Sequence, residues 1–185
     1  MADFILASGS KARYRLRNSI GYFPEVQVSD IDETRLPGET PYQYVARVSS
    51  LKAMAVAQKN PGRVVLAADT IAVLGNRLIG KSKNAEEALE VLNTLSGRRH
   101  YVLTGVCLID RNGKKHQKVV KTIIKVKRLT EAEKQAYVQS NEWQGVAGYF
   151  IEGLFGSCVQ YLGGSFSSVV GLPLCETATL LKNFL

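Results

Sequence analysis

Five consecutive apolar residues, Val64-Val65-Leu66-Ala67-Ala68, run without interruption into Asp69-Thr70. A run this short is a strand rather than a helix, and with no polar residue at alternate positions both of its faces need cover. Helices must supply that cover, so the segment predicts a central strand ending at Asp69 in an α/β fold. The flanking sequence supplies the helices. Ser10 is placed to cap a basic helix from Lys11 to about Asn18, which Gly21 stops. Thr40-Pro41-Tyr42-Gln43 is a capping box with Pro at the first helical position. The helix it opens carries Tyr44, Val45, Val48, Leu51 and Ala55 on one predicted face. Asn84 opens another helix that ends near Ser96-Gly97, and Thr130 caps one that reaches about Gln139.

Further strands are predicted at Phe4 to Ala7 and around two turns. Gly75-Asn76 joins Ile71–Leu74 to Arg77–Ile79. Asn112-Gly113 joins Tyr101–Asp110 to a long strand ending near Lys127. Two hairpins alternating with helices argue for a mixed sheet, not a purely parallel one. Pro37-Gly38 marks a turn. A glycine-rich tract from Gly145 to Gly171 precedes a last helix opened by Leu172-Pro173. No repeat or linker divides the 185 residues, so a single domain over 1–185 is expected.

Charge narrows the partners. Twenty-four Lys and Arg against 16 Asp and Glu leave +8, a surplus that favours anionic ligands. No apolar run approaches the roughly 18 residues of a membrane span. The start, Met1-Ala2-Asp3-Phe4, lacks the basic region of a secretion signal. Cys107, Cys158 and Cys175, odd in number and far apart, read as reduced thiols. The expected location is therefore cytoplasmic. Two His and no Cys-x-x-Cys argue against structural zinc.

Several segments carry candidate chemistry. Gly75 to Ser82 matches G-x-x-x-x-G-K-[ST] letter for letter, but Leu78-Ile79 prefer a strand and the next helix starts at Asn84, so a true P-loop is not expected. Lys81 can still meet phosphate as a point charge. Ser8-Gly9-Ser10, between a strand and a helix N-terminus, can cradle an oxyanion, with Arg13 adding a forked donor. Asp69 at a strand end can hold a metal or take a proton from water. Glu33 offers a second carboxylate and Lys52 a second cation. Lys121, Lys125 and Lys127 share one face of a basic stretch, read as a protected edge strand in preference to a nucleic-acid tract. Trp143, Tyr149, Phe150 and Phe155 are either base-stacking or core residues.

These pieces stand in an ordered set: Leu6-Ala7-Ser8-Gly9-Ser10-x-x-Arg13, Asp30-x-Asp32-Glu33-Thr34, Lys52-Ala53, Ala68-Asp69-Thr70, Gly80-Lys81, Leu95-Ser96-Gly97-Arg98-x-His100, Thr104-Gly105-Val106, and Gly164-Ser165-Phe166-Ser167-Ser168-Val169-Val170-Gly171-Leu172-Pro173-Leu174. The set resembles the Maf family of nucleotide pyrophosphatases over nearly the whole chain. The resemblance implies a Maf/Ham1-like elongated mixed sheet flanked by helices, with two lobes around a central cleft. It implies hydrolysis of nucleoside triphosphates to monophosphate and pyrophosphate with a divalent metal cation, Mg2+ or Mn2+. Asp69 and Glu33 become the catalytic and metal-binding acids. Ser8, Ser10, Arg13, Lys52 and Lys81 become phosphate ligands, and Ala12, Thr70 and Glu152 the positions that choose the substrate. The Ala-Asp-Thr segment and the ending resemble the branch acting on dTTP and UTP, and the family is linked to cleaning nucleotide pools and arresting cell division. The expected partner is a nucleoside triphosphate, with a homodimer left open and neither membrane nor nucleic acid expected. The alternative is a non-catalytic nucleotide- or nucleic-acid-binding regulator of division on the same scaffold.

The chain departs from the family pattern at identifiable places. Lys11-Ala12-Arg13 replaces Pro-Arg-Arg, Ser82 replaces Pro, Ser168 stands for Asn, and Val146 to Gly153 is one residue short with Glu152 for Gln. An ionised Glu only accepts hydrogen bonds, whereas Gln also donates. If Glu152 faces the base, uracil and thymine carbonyls are disfavoured. If the shortened loop moves it out, Glu152 is solvated or near the metal.

Overall fold

The computed structural model describes residues 4–18 and 20–185, and of Leu16, Arg17 and Asn18 the backbone alone. Met1, Ala2 and Asp3, part of the stretch read for a secretion signal, lie outside the described residues. The elements run β1 (Ile5–Leu6), α1 (Lys11–Asn18), β2 (Glu25–Val26), α2 (Pro41–Ala57), β3 (Val65–Leu74), β4 (Arg77–Ile79), α3 (Ala85–Leu95), β5 (Arg99–Ile109), β6 (Lys115–Val126), α4 (Glu131–Ser140), a 3-10 turn (Leu154–Cys158), β7 (Val159–Gly163), α5 (Phe166–Val170) and α6 (Leu174–Phe184). The capping box expected at Thr40 forms, and the cap expected at Thr130 is a capping box too, with Gln43 and Glu133 answering the cap residues. Asn84 caps α3 through the Glu87 amide.

The seven strands among the described residues make one mixed sheet in the order β2-β1-β3-β5-β6-β7, with β4 also on β3. The β1 contacts are parallel and the β3-β5-β6 contacts antiparallel. Two cores sit toward opposite ends of the long strands. One packs Leu66, Ala68, Val106 and Leu108 against Leu172, Leu180 and Leu181, while on the opposite face Val65, Ala67 and Cys107 meet Ala53 and Val56 of α2. The other gathers Leu92, Leu95, Val102, Ile124, Tyr137, Trp143, Tyr149 and Phe155.

The central strand differs from its expected form. It does not stop at Asp69 but runs on to Leu74, because Ile71-Ala72-Val73-Leu74 is as apolar as the run before it. Asp69 is therefore mid-strand. What singles it out is the edge of β3. That edge is covered by β1 at Val65 and Leu66 and by β4 from Ala72 onward. Between them β3 has a strand neighbour on one side only, and the cleft opens at the gap.

Smaller corrections follow from packing. Leu51 is exposed, since the inward face of α2 is Val45, Val48, Ser49, Ala53 and Val56. The lysine-rich β6 is not an edge along its whole length, because β7 pairs with it from Ile123 to Val126. Lys127 lies beyond β6 and pairs with Glu133 at 2.6 Å. The P-loop lookalike is a strand, as expected: Leu78 and Ile79 pair with Val73 and Ala72. Among the described residues no helix is long and apolar enough to cross a membrane, and Cys107, Cys158 and Cys175 are unbridged.

Candidate functional site

A cleft of about 800 Å3 opens between the two cores, and all ten candidate residues line it: Ser8, Ser10, Ala12, Arg13, Glu33, Lys52, Asp69, Thr70, Lys81 and Glu152. Its centre is a three-residue charge cluster. Lys52 Nζ donates to Asp69 Oδ1 at 2.7 Å and lies 3.0 Å from Glu33 Oε1. Asp69 and Lys52 are nearly buried, whereas the Glu33 side chain is 49% exposed. Burying Asp69 is tolerable because Lys52 offsets its charge.

Local sequence explains how these groups meet. Odd-numbered residues of β3 face α2, and Asp69 follows Val65 and Ala67 on that face. Its cross-strand partner is Gly105. A Cβ on Gly105 would stand 2.6 Å from the Val45 carbonyl oxygen and 2.7 Å from Ser49 Oγ. Only glycine lets α2 settle this close, and α2 carries Lys52 onto Asp69.

Arg13 is placed differently from a free phosphate donor. Its guanidinium donates to the Gly171 carbonyl at 2.8 Å, to Ser8 Oγ at 3.3 Å and to Thr70 Oγ1 at 3.2 Å. It ties α1, β3 and the end of α5 together. Burial draws its pKa down, while the charges of Asp69 and Glu33 oppose that shift. Thr70 continues the network to Thr104 Oγ1, which donates to the Ser168 carbonyl. Ser8 Oγ also accepts from the Ser10 amide, and Ser10 Oγ caps α1 through the Arg13 amide.

The opposite wall is the Gly145–Glu152 segment. Lys81 and Ala147 form an isolated bridge, and the Gly148 amide donates to the Gly80 carbonyl. The Lys81 side chain is exposed and has no acidic partner among the described residues, so its charge is available to a ligand. Glu152 is neither free beside a base nor fully solvated: its Oε2 accepts from Arg15 Nη2 at 3.1 Å. Of the four aromatics, Trp143, Tyr149 and Phe155 are core, and Tyr149 stacks on Phe155. Phe150 is half-buried and lines the cleft. Tyr44, Arg15 and Gly171 line it too, and the sequence patterns did not single them out as site residues. Burial and the charges of Asp69 and Glu33 push the Tyr44 hydroxyl up to about 12.

No group of three or more His, Cys, Asp or Glu among the described residues could hold a metal alone. Asp69 and Glu33 still suit a hard divalent cation that takes phosphate oxygens as its remaining ligands. Lys52 occupies Asp69 Oδ1, and no protein group among the described residues donates to Oδ2.

The sequence profile of the family described as Maf-like protein matches residues 3–184. A dTTP/UTP pyrophosphatase of Ruegeria sp. (strain TM1040) is 48% identical over 181 residues, 97% of this chain and 93% of the relative. A nucleoside triphosphate pyrophosphatase of Anaplasma marginale (strain Florida) is 42% identical over 97% of this chain and 93% of its own. Among solved structures, a HAM1 protein from Coxiella burnetii aligns with TM-score 0.45 and 20% identity over 70% of this chain and 75% of that chain.

Proposed function

This chain belongs to the Maf-like protein family, and on that premise we propose that it hydrolyses nucleoside triphosphates to the monophosphate and pyrophosphate at the Glu33-Lys52-Asp69 cluster. The observation that carries this reading is Lys52 Nζ between two carboxylates at 2.7 and 3.0 Å, in a cleft with room for a nucleotide. In the proposed reaction Asp69 Oδ2 accepts a proton from the attacking water, which adds at the α-phosphorus as pyrophosphate leaves. Lys52 orients Asp69. Lys81 and the amides at the start of α1 offset charge on the phosphates. Arg13 holds Ser8 and Thr70 in place and adds to the positive field.

Asp69 and Glu33 are the residues that would hold Mg2+ or Mn2+. Such a cation supplies charge neutralisation of the triphosphate and a lower pKa for bound water. The relatives named for dTTP and UTP make a pyrimidine triphosphate the first substrate to try. A non-catalytic regulator gains no specific support, since the relatives are named as pyrophosphatases.

The test is Asp69→Asn. The amide keeps the volume but cannot take a proton. Pyrophosphate release from a panel of triphosphates with Mg2+ should fall by about a hundredfold or more while the circular dichroism stays native. Near wild-type release by the variant would end the assignment.

A further inference from the structure

Glu33 reaches Lys52 from a stretch of chain that has little to fix it. Residues 27–40 contain no helix or strand, only a turn at Pro37-Gly38. The Glu33 side chain is half exposed, so burial does not hold it either. Beside it lies a charge pair that the proposed chemistry does not use. Arg47 Nε donates to Glu39 Oε1 at 2.6 Å, and Nη2 donates to Glu39 Oε2 at 2.8 Å. The same Nη2 donates to the Thr34 carbonyl at 3.0 Å, one residue from Glu33. Glu39 Oε2 also accepts from the Leu36 amide at 3.1 Å, and Arg35 folds back onto the Glu39 carbonyl. The Glu39 side chain is 7% exposed and that of Arg47 is 23% exposed. Neither residue lines the cleft.

We propose that the Glu39–Arg47 pair is a positioning clamp that fastens the Glu33 loop to α2, so that Glu33 shares Lys52 with Asp69. The proposal rests on the pyrophosphatase reading for what Glu33 does, but the clamp itself is a claim about the loop. Arg47 and Lys52 are five residues apart on one helix and reach neighbouring residues, Thr34 and Glu33. Two points of attachment on a rigid element define where a flexible segment sits. The chemistry requires Arg at this position. A planar fork serves both carboxylate oxygens and a carbonyl at once, which a point ammonium cannot do. The pair is shielded, so its partners hold each other in both charge and direction, as the lowered pKa of Glu39 and the raised pKa of Arg47 indicate.

The experiment uses the full chain with Arg47→Lys, Glu39→Gln, Glu33→Gln and the Arg47→Lys/Glu33→Gln double variant. Amide hydrogen exchange follows the protected amides of Thr34, Leu36 and Glu39. Kinetics follows pyrophosphate release, and thermal unfolding follows global stability. Arg47→Lys should speed exchange at these amides by about tenfold or more while the β3 and β5 amides stay protected. It should lower kcat by about tenfold with KM within about threefold, and cause less than about a twofold further loss when Glu33 is already Gln. Glu39→Gln should follow the same pattern, which guards against one variant misfolding. Unchanged exchange in the loop, or losses that multiply fully with Glu33→Gln, would overturn the clamp. If the wild-type protein released no pyrophosphate, the function reading would fail while the exchange measurement would still decide the clamp.

Discussion

Asp69 and Gly105 face each other across the β3–β5 ladder, and the missing side chain of one sets the surroundings of the other. The Val45 carbonyl oxygen of α2 lies 2.6 Å from where a Cβ of residue 105 would be. The acid consequently finds Lys52 above it instead of a neighbouring side chain beside it. Rotating Ser49 aside would not admit a methyl group here, because the nearest atom is the backbone carbonyl oxygen of Val45. Gly105→Ala should destabilise the protein by about 1–3 kcal/mol, as overpacking does. It should also lower turnover by moving Lys52 away from Asp69. Urea unfolding and pyrophosphate release on the same preparation check both, and wild-type values in both would show that α2 is free to shift.

Arg13 tests whether a cleft arginine is a ligand group or a brace. Its three side-chain bonds reach residues 5, 57 and 158 positions away. Lysine keeps the charge but cannot make the three bonds from one planar group. Bonds to a charged group contribute about 1.5–3 kcal/mol each, so Arg13→Lys should cost about 2 kcal/mol even with part of the network retained. A variant of wild-type stability with a raised KM for triphosphate alone would make Arg13 a phosphate ligand and not a brace.

His100 gives a pH signature. It is 2% exposed, its Nε2 lies 2.7 Å from the Tyr149 hydroxyl, and its Nδ1 has no hydrogen-bond partner among the described residues. Burial lowers its pKa from 6.5 to about 4. A depressed pKa means that the unfolded chain binds the proton first as pH falls. The stability is therefore whole above pH 6.5 and drains away as pH falls toward 4. The full loss over that window is on the order of 3 kcal/mol. The carboxylates that partners hold below the usual carboxylate range, such as Glu39 beside Arg47 and Asp110 beside His116, add their loss at more acid pH. His100→Gln should flatten the unfolding free energy between pH 6.5 and 4.5 relative to wild type. Parallel curves would show that the imidazole is not held neutral by burial.

What the sequence made legible was mostly local. Thr40 and Gln43 lie one helical turn apart, and Gly75-Asn76 closes a hairpin within a few residues, so each pattern carries its own geometry. Eight of the ten cleft residues stand in the ordered motif set, and the resemblance of that set to a family, not the spacing of its pieces, implied that they meet in one cleft. The strand length at Asp69 was misread because a single acid in an apolar run looks like an end, and the cation that permits it lies on another element. β7 was hidden in a tract whose glycines suggest a loop, and only the free edge of β6 gives Val159–Gly163 something to pair with. Glu39 follows a Pro-Gly turn and reads as surface charge, and its partner Arg47 is visible only once the turn has folded back onto α2.

Glu152 is the sharpest case, since its partner Arg15 lies 137 residues earlier. The ion pair spans the cleft from α1 to the Gly145–Glu152 segment, with the Glu152 side chain 30% exposed and that of Arg15 61% exposed. Arg15 takes Oε2, while no protein group among the described residues donates to Oε1. The remaining oxygen can only accept. Cytosine offers an exocyclic amino donor, whereas uracil offers a carbonyl that would face the carboxylate. An unpaired or repelled acceptor costs about 1–3 kcal/mol, and partial exposure puts this one at the low end, near a factor of about ten. Glu152→Gln supplies a donor, and the UTP-to-CTP ratio of kcat/KM should rise by about tenfold. Arg15→Ala should move the ratio the other way by baring the carboxylate. A ratio that stays flat in both variants would mean that the base does not reach this wall of the cleft, and that the Arg15–Glu152 pair serves only to join α1 to the segment opposite.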